Sequence, residues 1–416
     1  MSGTRTDNEV MKGKVTVSEL LALIDEDDTL AELAIETGVD VQVKKLDGQT
    51  MLKLLLYGVL TSERVSLRVL EEAFESQRFK TYAGVASGET TAHSTLSDRL
   101  RHIKVGFFEQ VYERLLKRFA QEVSQPYRTE NQVNLRVNRV DSTLVRCSAK
   151  LLAIGMVNGL RKKNGEANRF RQVKFTLGFD GLLPHVAHLH TDQSDLADDR
   201  PLAEAVRALS VDPESVVVFD RGLKSRKVLA SFVREGRYFA TRINPTKEYQ
   251  VVTTHALPDN RCTETLELVS DQSVWLALNW NISKKTVYRL IVAKSLKSGE
   301  MLFFLTNLFD LPAADITEIY RLRWEIETFF RFLKQEMNFS HLLSRDENGI
   351  RVMLFVTLIA AALLMVFRQR NQITSYKIAK IRFVNQLYDD LMKIVIQLCG
   401  GVPALYGHVT AKGFGH

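Results

Sequence analysis

Cysteine is scarce in this chain. Cys147, Cys262 and Cys399 are its only three among 416 residues and lie far apart, so neither a disulfide framework nor the paired spacing of a zinc ribbon can be built from them. Proline and glycine are modest at 8 and 22, which excludes collagen-like repeats and low-complexity disorder. Long apolar runs are missing too. The longest, Val352 to Phe367 between Arg351 and Arg368, falls short of the roughly 20 residues that cross a bilayer; it reads as a buried helix, with a membrane span a distant second reading. The opening MSGTRTDNEVMKGK has no apolar core of the kind an export signal needs. A reducing cytoplasm is the expected compartment.

What the chain does have is 45% hydrophobic and 25% charged residues, enough apolar side chain for more than one core and a length that suits two or three domains. The net charge of +7 is unevenly placed. Residues 1–50 carry five Lys/Arg and eleven Asp/Glu, a balance of −6, which leaves +13 on the remainder. A basic body of this kind suits a polyanionic partner, because Lys and Arg that displace condensed counterions bind phosphate backbones.

Residues 1–125 read as a helical region. Apolar positions recur at helical spacing in Leu52, Leu55, Leu56 and Val59, in Leu67, Leu70 and Phe74, and in Phe107, Val111, Leu115 and Phe119. Gly84 and Gly88 interrupt the pattern before a polar helix, Ser94 to Ile103, with Thr95, Ser97, Arg99, Arg101 and Lys104. That helix is either a recognition helix for a DNA groove or an ordinary solvated one.

From Leu135 the period changes. Strands are predicted at 135–145, 172–179 and 183–190, the last two joined by the turn pair Asp180-Gly181. A helix at 202–209, the continuous apolar strand 215–219, a helix at 225–233 and a strand at 237–243 follow. The expected fold is α/β, a mixed sheet over residues 130–244. Residues 245–310 instead give only short strands, at 249–254, 263–268, 274–279, 287–293 and 301–306, and read as an all-β insertion. Helix returns from Ile316 to about Met337 in a closing segment, 311–345, and residues 346–416 form a C-terminal helical region.

Three carboxylates stand out by position: Asp141 within the first strand, Asp220 at the tip of the buried strand, and Glu327 in the helix after the insertion. Sites in α/β sheets form at the carboxyl ends of strands. Projected at 100° per residue, Tyr320, Arg323, Glu327 and Lys334 share one stripe about 60° wide, beside an apolar flank of Leu322, Ile326, Phe329, Phe330 and Leu333. A carboxylate, two cations and a phenol on one edge offer a metal ligand and a phosphate clamp; the plain alternative is an amphipathic helix with incidental ion pairs.

Tyr320-x2-Arg323-x3-Glu327-x6-Lys334 resembles the YREK signature of DDE transposases of the insertion-sequence four family, and Asp141-Ser-Thr and Phe219-Asp220-Arg221-Gly222 resemble that family's first and second aspartate motifs. The resemblance runs in order from about residue 90 to 340. It implies a ribonuclease H-like catalytic domain in which Asp141, Asp220 and Glu327 hold Mg²⁺ or Mn²⁺, as hard oxygen donors would, for in-line attack on phosphorus. It further implies phosphate contacts from Tyr320, Arg323 and Lys334, double-stranded DNA partners (the inverted repeats of the element and a target), cut-and-paste movement through hairpinned ends and a homodimer that pairs two ends. Related enzymes stack an aromatic on a flipped base; Trp275 and Trp280 are the candidates, with core packing the alternative for either. Arg161, Lys162, Lys163, Arg169, Arg171 and Lys174 form either a DNA-tracking basic loop or a solvated one. Two rival functions remain, a metal-dependent nuclease without strand transfer and a noncatalytic DNA-binding regulator, the second disfavoured by the presence of all three acids. Asp192, Asp195, Asp198 and Asp199 are expected to cap the following helix, and His93, His102, His185, His188 and His190 to form no metal motif.

Overall fold

The computed structural model describes residues 14–25, 29–43, 45–119, 126–131, 134–147, 154–157, 171–209, 211–244, 249–278 and 281–406. The chain divides into two compact units, residues 1–119 with 332–416 and residues 120–331. The helical segments at the two ends of the sequence therefore belong to one body.

At the centre of that first unit lies the helix Glu347–Arg370, opened by Asp346, whose carboxylate accepts from the Asn348 N–H. Every residue from Leu354 to Phe367 is buried. A helix that is apolar all round must be enclosed on all sides, and here Gly48–Thr61, His93–His102, Val105–Arg118 and Tyr376–Leu398 surround it. The central helix, at 24 residues, is long and apolar enough to cross a membrane, but its apolar run is buried within the protein. The polar helix predicted at 94–103 is present as His93–His102, but Arg99 is tied down, donating to the carbonyls of Leu46 and Val39 and to Asp40.

The second unit is built on eleven strands among the described residues: β1 (Tyr127–Arg128), β2 (Asn134–Arg146), β3 (Met156–Val157), β4 (Arg171–Asp180), β5 (Leu183–His190), β6 (Ser215–Phe219), β7 (Tyr238–Ile243), β8 (Tyr249–Thr254), β9 (Leu266–Leu278), β10 (Asn281–Ser295) and β11 (Met301–Thr306). Their order is β3-β4-β2-β6-β7-β11-β10-β9-β8, with β5 also on β4 and β1 on β2. β5, β4 and β2 pair antiparallel, whereas β2, β6 and β7 pair parallel. This mixed α/β sheet matches the ribonuclease H-like expectation. β6 shows why the run Ser-Val-Val-Val-Phe is continuous. Val216 and Val218 enter the core under the helix Ala313–Arg321, and Val217 and Phe219 enter the opposite core with the helices Asp199–Ala208 and Arg226–Arg234, as side-chain alternation requires.

Two differences from the sequence reading concern the site. The strands expected at 263–268 and 274–279 are one strand, β9, because its polar middle is satisfied from within the sheet. Asp271 accepts from Arg289 Nε at 2.9 Å and Nη2 at 2.6 Å, and Arg289 Nη1 also donates to the carbonyls of Leu308, Phe309 and Leu311. Strands β8–β11 moreover continue the central sheet through the β7–β11 pairing. Second, the long helix breaks into Ala313–Arg321 and Trp324–Glu336. At the joint, Arg323, Glu325 and Ile326 each donate to the carbonyl three residues back, a tighter turn than the α-helix.

Candidate active site

β2 and β6 run parallel with Val140 opposite Phe219, so the residues that follow, Asp141 and Asp220, leave adjacent strands about 5 Å apart. β6 ends there while β2 continues to Arg146. The lost pairing leaves room beside Asp141. Its Oδ1 accepts the Ser142 N–H at 2.7 Å, and the Ser142 hydroxyl meets that of Thr176 at 2.8 Å.

Glu327 is linked to Asp141 through Arg323. That guanidinium sets Nη1 at 3.5 Å from Asp141 Oδ2 and Nη2 at 2.5 Å from Glu327 Oε1. Asp141 and Arg323 are each 15% exposed. Tyr320, buried against Phe304, lies under the guanidinium with its ring centre at 5.6 Å. Arg323 Nε is buried with no hydrogen-bond partner.

The electrostatics follow from this crowding. Burial, then the negative charge of Asp220 and, less, that of Glu327, push the Asp141 carboxyl up to about 7, against the Ser142 N–H and Arg323. Asp220 is raised as well, by burial and by Asp198, although the Gly222 N–H donates to its Oδ1 at 2.8 Å. Arg323, and Arg221 beside Asp220, lower the two aspartates without cancelling the rise.

Asp198 arrives by a route the sequence hid. Lys174, grouped above with a basic loop, is 2% exposed and gives its ammonium to Asp198 Oδ1 at 2.7 Å and to the carbonyls of Leu196 and Ala197. It is a buried strut and is not available to track DNA. Arg171 donates to the Gly155 carbonyl. Gly222 sits where a Cβ would lie 2.6 Å from Asp198 Oδ2 and 2.8 Å from Asp220 Oδ1. The acids of residues 192–199 do not cap their helix as expected. Asp198 holds the N-cap position without a side-chain capping bond, Asp199 accepts from the N–H groups of Lys224 and Ser225, and Asp195 binds Arg200.

Of the remaining expected residues, Lys334 occupies the last turn of Trp324–Glu336, beyond residue 331, where the second unit ends. Trp275 is half-buried on β9, opposite Val287 of β10. Trp280, Arg161, Lys162, Lys163 and Arg169 lie outside the described residues. Trp324 went unread in the sequence: 56% exposed, it lines an open cavity of about 290 Å³ with Arg242, Phe304, Tyr320 and Arg323. Its position directly after Arg323 was the available signal. His188 and His190, which form no metal motif in the sequence, bring one ligating atom each within 4.8 Å of one another and of one from Glu204.

A family profile described as transposase DDE domain matches residues 135–363, a span that contains Asp141, Asp220, Glu327 and Lys334. A protein of Sinorhizobium fredii named as a transposase is 25% identical over 255 residues, 61% of this chain and 67% of the relative. One of Geobacillus stearothermophilus, named for the insertion sequence element IS5377, is 27% identical over 199 residues, 47% of this chain and half of that relative. One of Synechocystis, named for element IS4SA, is 22% identical over 300 residues, 71% and 78% of the two chains. Among solved structures, the piggyBac transposase synaptic complex with hairpin DNA aligns over 97% of this chain and 85% of its own, with 12% identity and a TM-score of 0.49.

Proposed function

The chain belongs to the transposase DDE domain family, and from that premise we propose that it binds the inverted repeats of its own insertion sequence, cuts the DNA at their ends and joins the 3′-hydroxyls to a target. The observation that carries this reading is that Asp141 and Asp220 leave adjacent parallel strands while Arg323 bridges Asp141 to Glu327. The donor set fits hard divalent ions, since these acids offer oxygen alone, and the Asp141 carboxyl, raised first by burial and then by the charge of Asp220, sits where a bound cation would favour its ionised form. Held by Asp141, Asp220 and Glu327, Mg²⁺ or Mn²⁺ would supply activation of a water or 3′-hydroxyl and stabilisation of the leaving oxygen.

In this reading the protein's own groups set the geometry. Asp141 and Asp220, fixed to adjacent parallel strands, present carboxylates to one point. Arg323 offsets part of their charge and then holds a phosphate, with Tyr320 and Lys334 donating to phosphate oxygens. The helical region 1–125 grips the ends, Arg161, Lys162 and Lys163 follow the backbone, and Trp275 or Trp280 stacks on a flipped base. Two copies pair two ends, and the excised element passes through hairpinned intermediates.

A labelled DNA bearing the element's end, incubated with protein and Mg²⁺, tests the reading. Wild type should cleave and then join the end to a second DNA, and Glu327→Gln should bind the end but not cleave it. Cleavage without joining would replace transposition by a nuclease, and full cleavage by Glu327→Gln would remove that residue from the site.

A further inference from the structure

We infer that His188, His190 and Glu204 form a second metal site, suited to Zn²⁺ and separate from the acidic site. His188 and His190 are two residues apart on β5 and so share one face of the sheet, their ring centres 6.1 Å apart. Glu204 comes from the helix Asp199–Ala208, which packs across β4 and β5. One ligating atom from each residue lies within 4.8 Å of the others.

The independent sign is His190 itself. It is 6% exposed, and its Nε2 is buried without a hydrogen-bond partner, whereas buried ring nitrogens are ordinarily satisfied. Its other nitrogen, Nδ1, faces Asp195 Oδ2 at 3.6 Å, and Asp195, 4% exposed, is fixed in turn by Arg200 Nε at 2.6 Å. A carboxylate behind one nitrogen that leaves the other to face an ion is the usual support of a metal-binding histidine. Two imidazoles and a carboxylate select a borderline ion over Mg²⁺, with a water completing the tetrahedron. Bonds of about 2.0–2.1 Å place donors roughly 3.3 Å apart; Glu204, 48% exposed and paired with Arg200 Nε at 3.7 Å, would give up that surface ion pair to swing inward and close the gap.

The ion would be structural. Asp195 and Asp198 belong to one short segment, and Asp198 abuts Gly222 beside Asp220. Clamping Asp195 to β5 through His190 would fix the segment that borders the acids. The site stands whether or not those acids are catalytic.

Equilibrium dialysis of the full chain against Zn²⁺ in excess Mg²⁺, after chelator treatment, decides it. The expected result is one tight equivalent per chain, weakened at least about tenfold by His188→Gln, by Glu204→Gln and, through the supporting shell, by Asp195→Asn, and unchanged by Asp141→Asn. His188 and Glu204 lie outside the core, so their variants keep the fold, which circular dichroism confirms. Absence of a tight equivalent in wild type, full affinity in both His188→Gln and Glu204→Gln, or loss of Zn²⁺ in Asp141→Asn would overturn the inference.

Discussion

Replacing Asp141 with asparagine makes the burial of its carboxyl, and its crowding by Asp220, measurable as a change in how stability depends on pH. The carboxyl rises from 3.8 to about 7 in the folded chain; three units at about 1.36 kcal/mol each set a ceiling of about 4 kcal/mol. Because the folded form keeps the proton longer than the unfolded form, the stabilisation is complete below about pH 4 and is lost as pH rises to about 7. Set against the 5–15 kcal/mol of a typical domain, the loss is large. Asparagine keeps the acceptor for the Ser142 N–H and removes the charge. Urea unfolding in EDTA from pH 4 to pH 8, followed by tryptophan fluorescence, reads the second unit alone, because Trp275, Trp280 and Trp324 all fall within residues 120–331. Wild type should weaken steadily with pH and recover with Mg²⁺ at pH 8, while Asp141→Asn keeps only the smaller slope due to Asp220. Equal slopes in the two proteins would refute the argument.

Three further outcomes are expected. Gly222→Ala should fold yet cleave at least tenfold more slowly, because its Cβ would meet Asp198 Oδ2 at 2.6 Å and Asp220 Oδ1 at 2.8 Å; paired circular dichroism and cleavage assays check this. Arg289→Leu should cost about 3–5 kcal/mol by stranding the buried Asp271 carboxylate, and Arg289→Leu with Asp271→Leu should recover most of it, as read by urea midpoints. Arg323→Ala should weaken end binding and reduce the slope of log affinity against log salt by about 1; an unchanged slope in a salt titration would count against a phosphate contact.

Much of the site was legible because strands declare themselves by pattern. β5, β6, β8 and β11 fall within the predicted limits, and the tip of an apolar strand located Asp220. What was hidden depended on partners distant in sequence. Ser270 to Ser273 looked like a break in β9 because Arg289, which satisfies Asp271, is 18 residues away. Lys174 looked like a surface cation because its acceptors, Leu196, Ala197 and Asp198, lie on another segment. The helical projection of Tyr320 and Glu327 assumed one axis, and no proline or glycine announced the joint at Leu322 and Arg323. His188 and His190 matched no linear metal spacing because their third ligand, Glu204, comes from a helix.

The central helix Glu347–Arg370 has a consequence for how the protein comes into being. The apolar faces of the first 119 residues, among them Leu52, Leu55, Phe107 and Val111, enclose a segment that emerges from the ribosome only after all 212 residues of the sheet unit, 120 through 331. A growing chain therefore carries every residue of the sheet unit before its first 119 residues have this helix to wrap around. Truncation ahead of residue 347 would leave the sheet unit whole and deprive the amino-terminal helices of their core.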